Sequence, residues 1–155
     1  MVHHIAEGYH SVTPYLIVDG AARAIDYYKE ALGAVEAIRM DGPDGKIAHA
    51  EIKIGDSFVM LADETPEEGR PSPKTLGGTT VLLMIYVPDV DAMFLKAIAA
   101  GGKQLMPVEN QFYGDRSGKI LDPFGHVWLI STHVEDVSPE EMDRRVQESM
   151  KQQAG

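Results

Sequence analysis

In the run IAHAEIKI, His49 and Glu51 stand two residues apart. Side chains at that spacing share one face of a strand. An imidazole and a carboxylate therefore lie together, a pair suited to moving a proton or orienting a ligand, and equally to a polar sheet surface. Arg116, in GDRSGK, can grip a carboxylate or phosphate in a forked geometry, or close an ion pair inside the protein or across a turn. Phe112 and Tyr113 beside it can stack on a planar ligand or roof the core. His133 closes an apolar run, where a rim hydrogen bond and a chemical role are both open. His126 follows a turn glycine and is expected to face solvent or cap a hairpin, and His3, His4 and His10 fall in the N-terminal arm. The sequence has no phosphate-binding glycine loop, no GxSxG and no HExxH. Its Ser, His and Asp residues form no recognisable triad.

The bulk properties narrow the classes. The 155 residues suit one domain, or two small modules sharing a core. A formal charge of −10 repels a phosphate backbone, so no nucleic-acid partner is expected. The acidic cluster Asp63–Glu68 reads as a solvated loop. No apolar run reaches the roughly 18–20 residues of a membrane span, and no signal peptide is visible. With no cysteine there is no disulfide, thiolate metal site or cysteine nucleophile, and a cytoplasmic location is expected.

The positioning elements follow from patterning. Ser11–Asp19 reads as a strand. Ala21, Ala24, Ile25, Tyr28 and Leu32 recur at helical spacing and Gly33 ends that helix. Val35–Met40, Ile47–Ile54 and Ser57–Ala62 read as strands, the last two joined by a tight Gly55-Asp56 hairpin. Residues 63–79 have linker composition. The order then restarts: a strand at Thr80–Val87, a helix capped by Asp89 with its stripe on Val90, Met93, Phe94, Ala97 and Ile98, then strands at Lys103–Val108, at about Phe112–Leu121, and from Val127. Val18 and Val87, Ile25 and Phe94, and Gly33 and Gly102 are each 69 residues apart. Two strand–helix–strand–strand–strand modules, about 11–62 and 80–133, are thus expected to share a core, because neither is large enough alone. Ser138-Pro139-Glu140-Glu141 starts a C-terminal helix at about 138–152, whose Met142, Val146 and Met150 form a thin apolar stripe suited to a sheet rim or a second subunit.

The turn Asp122-Pro123-Phe124-Gly125, leading into the strand Val127–Thr132, resembles the DPxG signature of the vicinal oxygen chelate superfamily, which includes glyoxalase I, the bleomycin-resistance proteins and extradiol dioxygenases. The stretch GDRSGKILDPFGHVWLISTHVEDVSPEE is similar to a glyoxalase-like subgroup often labelled after a phosphonate-utilisation operon. The resemblance spans about residues 11–133. It implies an α+β fold in which two βαβββ modules form curled mixed sheets around a cavity, with the C-terminal helix added. It also implies four metal positions, two per module, which fall here on Thr13, Val59, Leu82 and Leu129; a one-step register shift exchanges Val59 for Met60. These side chains are not metal donors. No metal and no other cofactor is therefore expected.

Strand parity then assigns the cavity lining. Thr13, Tyr15 and Ile17 share one face, as do Leu82, Met84 and Tyr86, and Val127, Leu129, Ser131 and His133. His49 and Glu51 join them, since their Ala and Ile neighbours meet the helix, while Trp128 has the opposite parity and belongs to the core. The lining is aliphatic and aromatic with few polar groups. The expected function is metal-free binding of a small apolar or aromatic molecule by a homodimer, through Tyr15, His49, Glu51, Tyr86, Phe112, Tyr113, Arg116, Leu129 and His133. The alternatives are a metal-dependent lyase, isomerase or dioxygenase of the same superfamily, using His49, Glu51 and His133 as substitute ligands, and an interaction module whose cavity is filled by side chains.

Overall fold

The computed structural model describes residues 1–155. Its first half runs β1 (Tyr15–Val18), α1 (Ala21–Leu32), β2 (Val35–Asp41), β3 (Ile47–Ile54) and β4 (Ser57–Asp63). A connecting segment contains the short helix α2 (Pro73–Leu76). The second half runs β5 (Leu82–Tyr86), α3 (Val90–Ala99), β6 (Lys103–Asn110), β7 (Asp115–Leu121) and β8 (Val127–His133), followed by α4 (Pro139–Gln153). The two sheets have orders β1-β4-β3-β2 and β5-β8-β7-β6. In each, the first strand pairs parallel with the last and the other pairs are antiparallel. The repeat expected from the sequence is therefore a repeat of topology.

The helix stripe predicted for α1 is the buried one: Ala24, Ile25 and Tyr28 are wholly inaccessible. In α3 the buried residues are Val90, Phe94 and Ala97. These faces meet Leu16, Val18, Ala50, Ile52, Leu61, Ile120, Trp128 and Ile130 in one continuous core shared by both modules. α3 lies close on its sheet because Gly118 leaves room for Phe94; a Cβ there would come within 2.7 Å of that ring. At the β3–β4 hairpin, Gly55 takes φ 57° in a two-residue loop, as a type II′ turn requires.

Each helix N-terminus is held by the last strand of its own module. Asp63, at the end of β4, accepts from the amides of Gly20 and Ala21 with one oxygen and of Ile47 with the other. Thr132, near the end of β8, accepts from the Val90 amide at 2.9 Å. The stretch starting at Asp63 thus begins as an ordered structural element rather than a solvated loop.

The arrangement differs from the expected one in two respects. Both helix-bearing faces turn inward to the common core, so the helix-free faces of the sheets are open and the chain by itself closes no cavity between them. Tyr15 (43% accessible), Met84 (41%) and Tyr86 (63%) lie on these faces. A second difference is one of register. Val59 lies in the core at 5% accessibility, and the neighbour on the helix-free face, opposite Tyr15 and Glu51, is Met60. A single step along a strand exchanges faces, and the hairpin glycines Gly55 and Gly125 lie 70 rather than 69 residues apart, so alignment on them gives Val59.

Candidate functional site

The row across the first sheet reads Ile38, Glu51, Met60, Tyr15, with Met40 opposite His49 one step further on. This places the His49–Glu51 pair among the apolar side chains of Ile38, Met40 and Met60. The Tyr15 hydroxyl lies 2.8 Å from Nδ1 of His49, and His49 Nε2 lies 3.0 Å from Glu51 Oε1. In a neutral imidazole whose Nε2–H donates to the carboxylate, Nδ1 accepts from the tyrosine hydroxyl. The result is a fixed Tyr–His–Glu chain whose imidazole is locked from both ends. Glu51 is 7% accessible, and its second oxygen, Oε2, is buried with no hydrogen-bond partner. The nearby cations do not supply one: Lys53 sits over the ring of Phe58 and Arg70 over that of Tyr15.

The second sheet carries a similar set of groups in another order. Asp115, 4% accessible, accepts from the Tyr86 hydroxyl at 2.9 Å on one oxygen and meets His133 Nδ1 at 2.8 Å on the other. His133 Nε2 lies 2.8 Å from Asp136. Hydrogen bonding to Asp115 and Asp136 raises the His133 pKa above its ordinary value, and the bond to Asp115 raises that of Tyr86. Beneath them the Ser117 and Ser131 hydroxyls bond to each other, fully buried. Every polar atom in this cluster has a partner.

Tyr15, His49 and Glu51 are thus brought together, as are Tyr86 and His133 around Asp115, while Leu129 lies opposite Met84 on the same face of the second sheet. Arg116 turns to the helix side, where it forms a forked ion pair with Asp91 of α3 and bonds Asn110. Phe112 and Tyr113 pack edge to face at 5.3 Å in the β6–β7 connection, and the Phe112 carbonyl accepts from Arg145 of α4. His126 reaches the Ile17 carbonyl at 2.9 Å and so ties the turn to β1. Two clefts flank β1 and β5. One of about 520 Å³ lies between Phe58, Val59, Met84 and Tyr86; the other, of about 570 Å³, lies between Tyr15, Ile17, Leu76 and His126.

The buried hub at Asp122 was not anticipated. Oδ2 accepts from Tyr28 at 2.6 Å and Trp128 Nε1 at 2.9 Å; Oδ1 accepts from the amides of Phe124 and His126. Burial, followed by the neighbouring Asp122 charge, pushes the Tyr28 hydroxyl well above its ordinary pKa. The DPFG turn thereby fastens the second module to α1 of the first. Its aspartate and the indole six residues later were both visible in sequence, but the tyrosine that joins them is 94 residues away.

At the metal positions of related folds the corrected register gives Thr13, Met60, Leu82 and Leu129. None offers an imidazole or a carboxylate, and no group of three or more His, Asp or Glu side chains elsewhere is placed to hold an ion. The residues at those positions do not fit a divalent metal.

Residues 2–130 match the family model of the glyoxalase/bleomycin resistance protein/dioxygenase superfamily, and the chain belongs to that superfamily. It is 44% identical over 135 residues to an uncharacterized protein of Mycobacterium tuberculosis, an alignment covering 85% of this chain and 79% of that protein. It is 29% identical over 141 residues to protein YjdN of Escherichia coli, covering 77% and 93%. Among solved structures it resembles protein PA1353 of Pseudomonas aeruginosa (TM-score 0.64, 25% identity, 81% and 99% covered). TioX of Micromonospora shares the fold, with a TM-score of 0.63 at 23% identity over 83% and 100% of the chains.

Proposed function

We propose that this protein binds a small apolar or aromatic organic molecule on the helix-free face of its first sheet, without a metal, and that a homodimer completes the cavity. The observation that carries this is an apolar row left uncovered by its own chain, with one oriented polar chain, Tyr15–His49–Glu51, set into it. Ligand sites have this composition, mostly apolar with a few placed polar groups. Tyr86, Leu129 and His133 on the second sheet supply the opposite wall from the partner subunit. No helix is long and apolar enough to cross a membrane, and a cytoplasmic sequestering role suits the acidic chain.

Native mass spectrometry of the freshly purified protein tests the reading. The expected result is a dimer that carries an organic mass and no stoichiometric metal. Zinc, nickel, manganese or iron present at one per chain and required for an activity would contradict it.

A further inference from the structure

The most unusual atom on this face is Glu51 Oε2. A buried carboxylate oxygen without a donor costs more than an unpaired neutral acceptor, and natural folds seldom leave one. The remainder of the group is well placed: Oε1 is held by His49, and His49 is held by Tyr15. The carboxylate is therefore oriented with one valence open.

The fold itself does not require this arrangement. Met60 pairs with both Tyr15 and Glu51, and Leu129 pairs with both Met84 and Lys119. The second module thus places Met84, Ser117 and Lys119 where the first has Tyr15, His49 and Glu51. It builds the same sheet with none of the three.

We infer that the molecule bound on this face carries a cationic nitrogen, and that this nitrogen completes Glu51. The inference rests on the ligand-binding reading above. A protonated amine brings both the missing donor and the opposite charge, whereas a carboxylate or phosphate would face Glu51 within a chain of net charge −10. The flanking Ile38, Met40 and Met60 call for an apolar or aromatic body attached to that nitrogen. The ligand class is thus an arylalkyl amine or its equivalent.

The probes are 2-naphthylmethylamine, its neutral alcohol and its carboxylate, titrated into the full-length chain and followed by the resonances of Tyr15 and His49. The amine is expected to bind at least about tenfold more tightly than the other two. Glu51→Gln should abolish that preference. An alcohol that binds as well as the amine, or a preference that survives in Glu51→Gln, overturns the cation and leaves the ligand site standing. No response to any of the three at millimolar concentration overturns both. If Glu51→Gln and Lys119→Met each split a dimer at the same concentration, the missing cation is Lys119 of the partner subunit, and the amine assignment fails.

Discussion

The two modules share a topology and differ in how their buried polar groups are completed. In the first, the core end of the hairpin is apolar: the pair equivalent to Asp122 and Trp128 is Ile54 and Val59, both buried. Its polar chain lies on the helix-free face and is incomplete. In the second, the core end carries the Asp122 hub with its four donors, and the Tyr86–Asp115–His133 cluster on the outer face is closed on itself. A buried polar group with every valence filled is explained by stability alone. One with a valence open needs another reason. The filled groups, Asp122 and Asp115, are accounted for as architecture, and the open valence at Glu51 is the one on which the proposed ligand site rests.

The largest effect is expected at the hub. Asp122→Asn puts an amide where Oδ2 accepted from Tyr28 and Trp128, leaving two buried donors unpaired. The substitution should cost about 3 kcal/mol in urea unfolding, from 1–3 kcal/mol per unsatisfied group. A cost below about 1 kcal/mol would break the contrast between the modules.

The helix caps sharpen the same contrast. Asp63→Ala removes three backbone hydrogen bonds and should cost about 2 kcal/mol, whereas Thr132→Val removes one partner of α3 and should cost about 1 kcal/mol. Denaturant midpoints of the two variants test the order.

A smaller effect is expected from pH. The folded His133 pKa is raised by Asp115 and Asp136. The stabilisation is therefore fully present below the unfolded value of about 6.5 and is lost as pH rises through the folded value. The gap in melting temperature between wild type and His133→Gln should be widest near pH 6 and shrink toward pH 9. A gap that widens with pH would show that the cluster does not hold the proton.

Much of this architecture was legible in the sequence. The periodic stripes of α1 and α3 and the 69-residue spacing of landmarks identify two copies of one module, because burial of one face imposes its period directly. The Tyr15, His49 and Glu51 parity was legible for the same reason. The Val59–Met60 step was not, since one residue of slip exchanges faces and turn glycines do not fix register to that accuracy. Asp63 read as the start of a linker, although its 69-residue separation from Thr132, which also caps a helix, was a usable signal. The Tyr28–Asp122 bond joins modules far apart in sequence and leaves no local trace. Nor does a strand pattern say whether its open face meets the same chain or another.

The contrast is tested most directly by Glu51→Gln, the same one-atom change as Asp122→Asn, measured by urea unfolding without ligand. An unpaired carboxylate oxygen kept for a ligand costs the free protein stability, so Glu51→Gln should be no more than about 1 kcal/mol less stable than wild type, a gain in stability being equally consistent, with no loss like that at the hub. A loss as large as that of Asp122→Asn would make the Tyr15–His49–Glu51 chain a structural element like the hub and contradict the account.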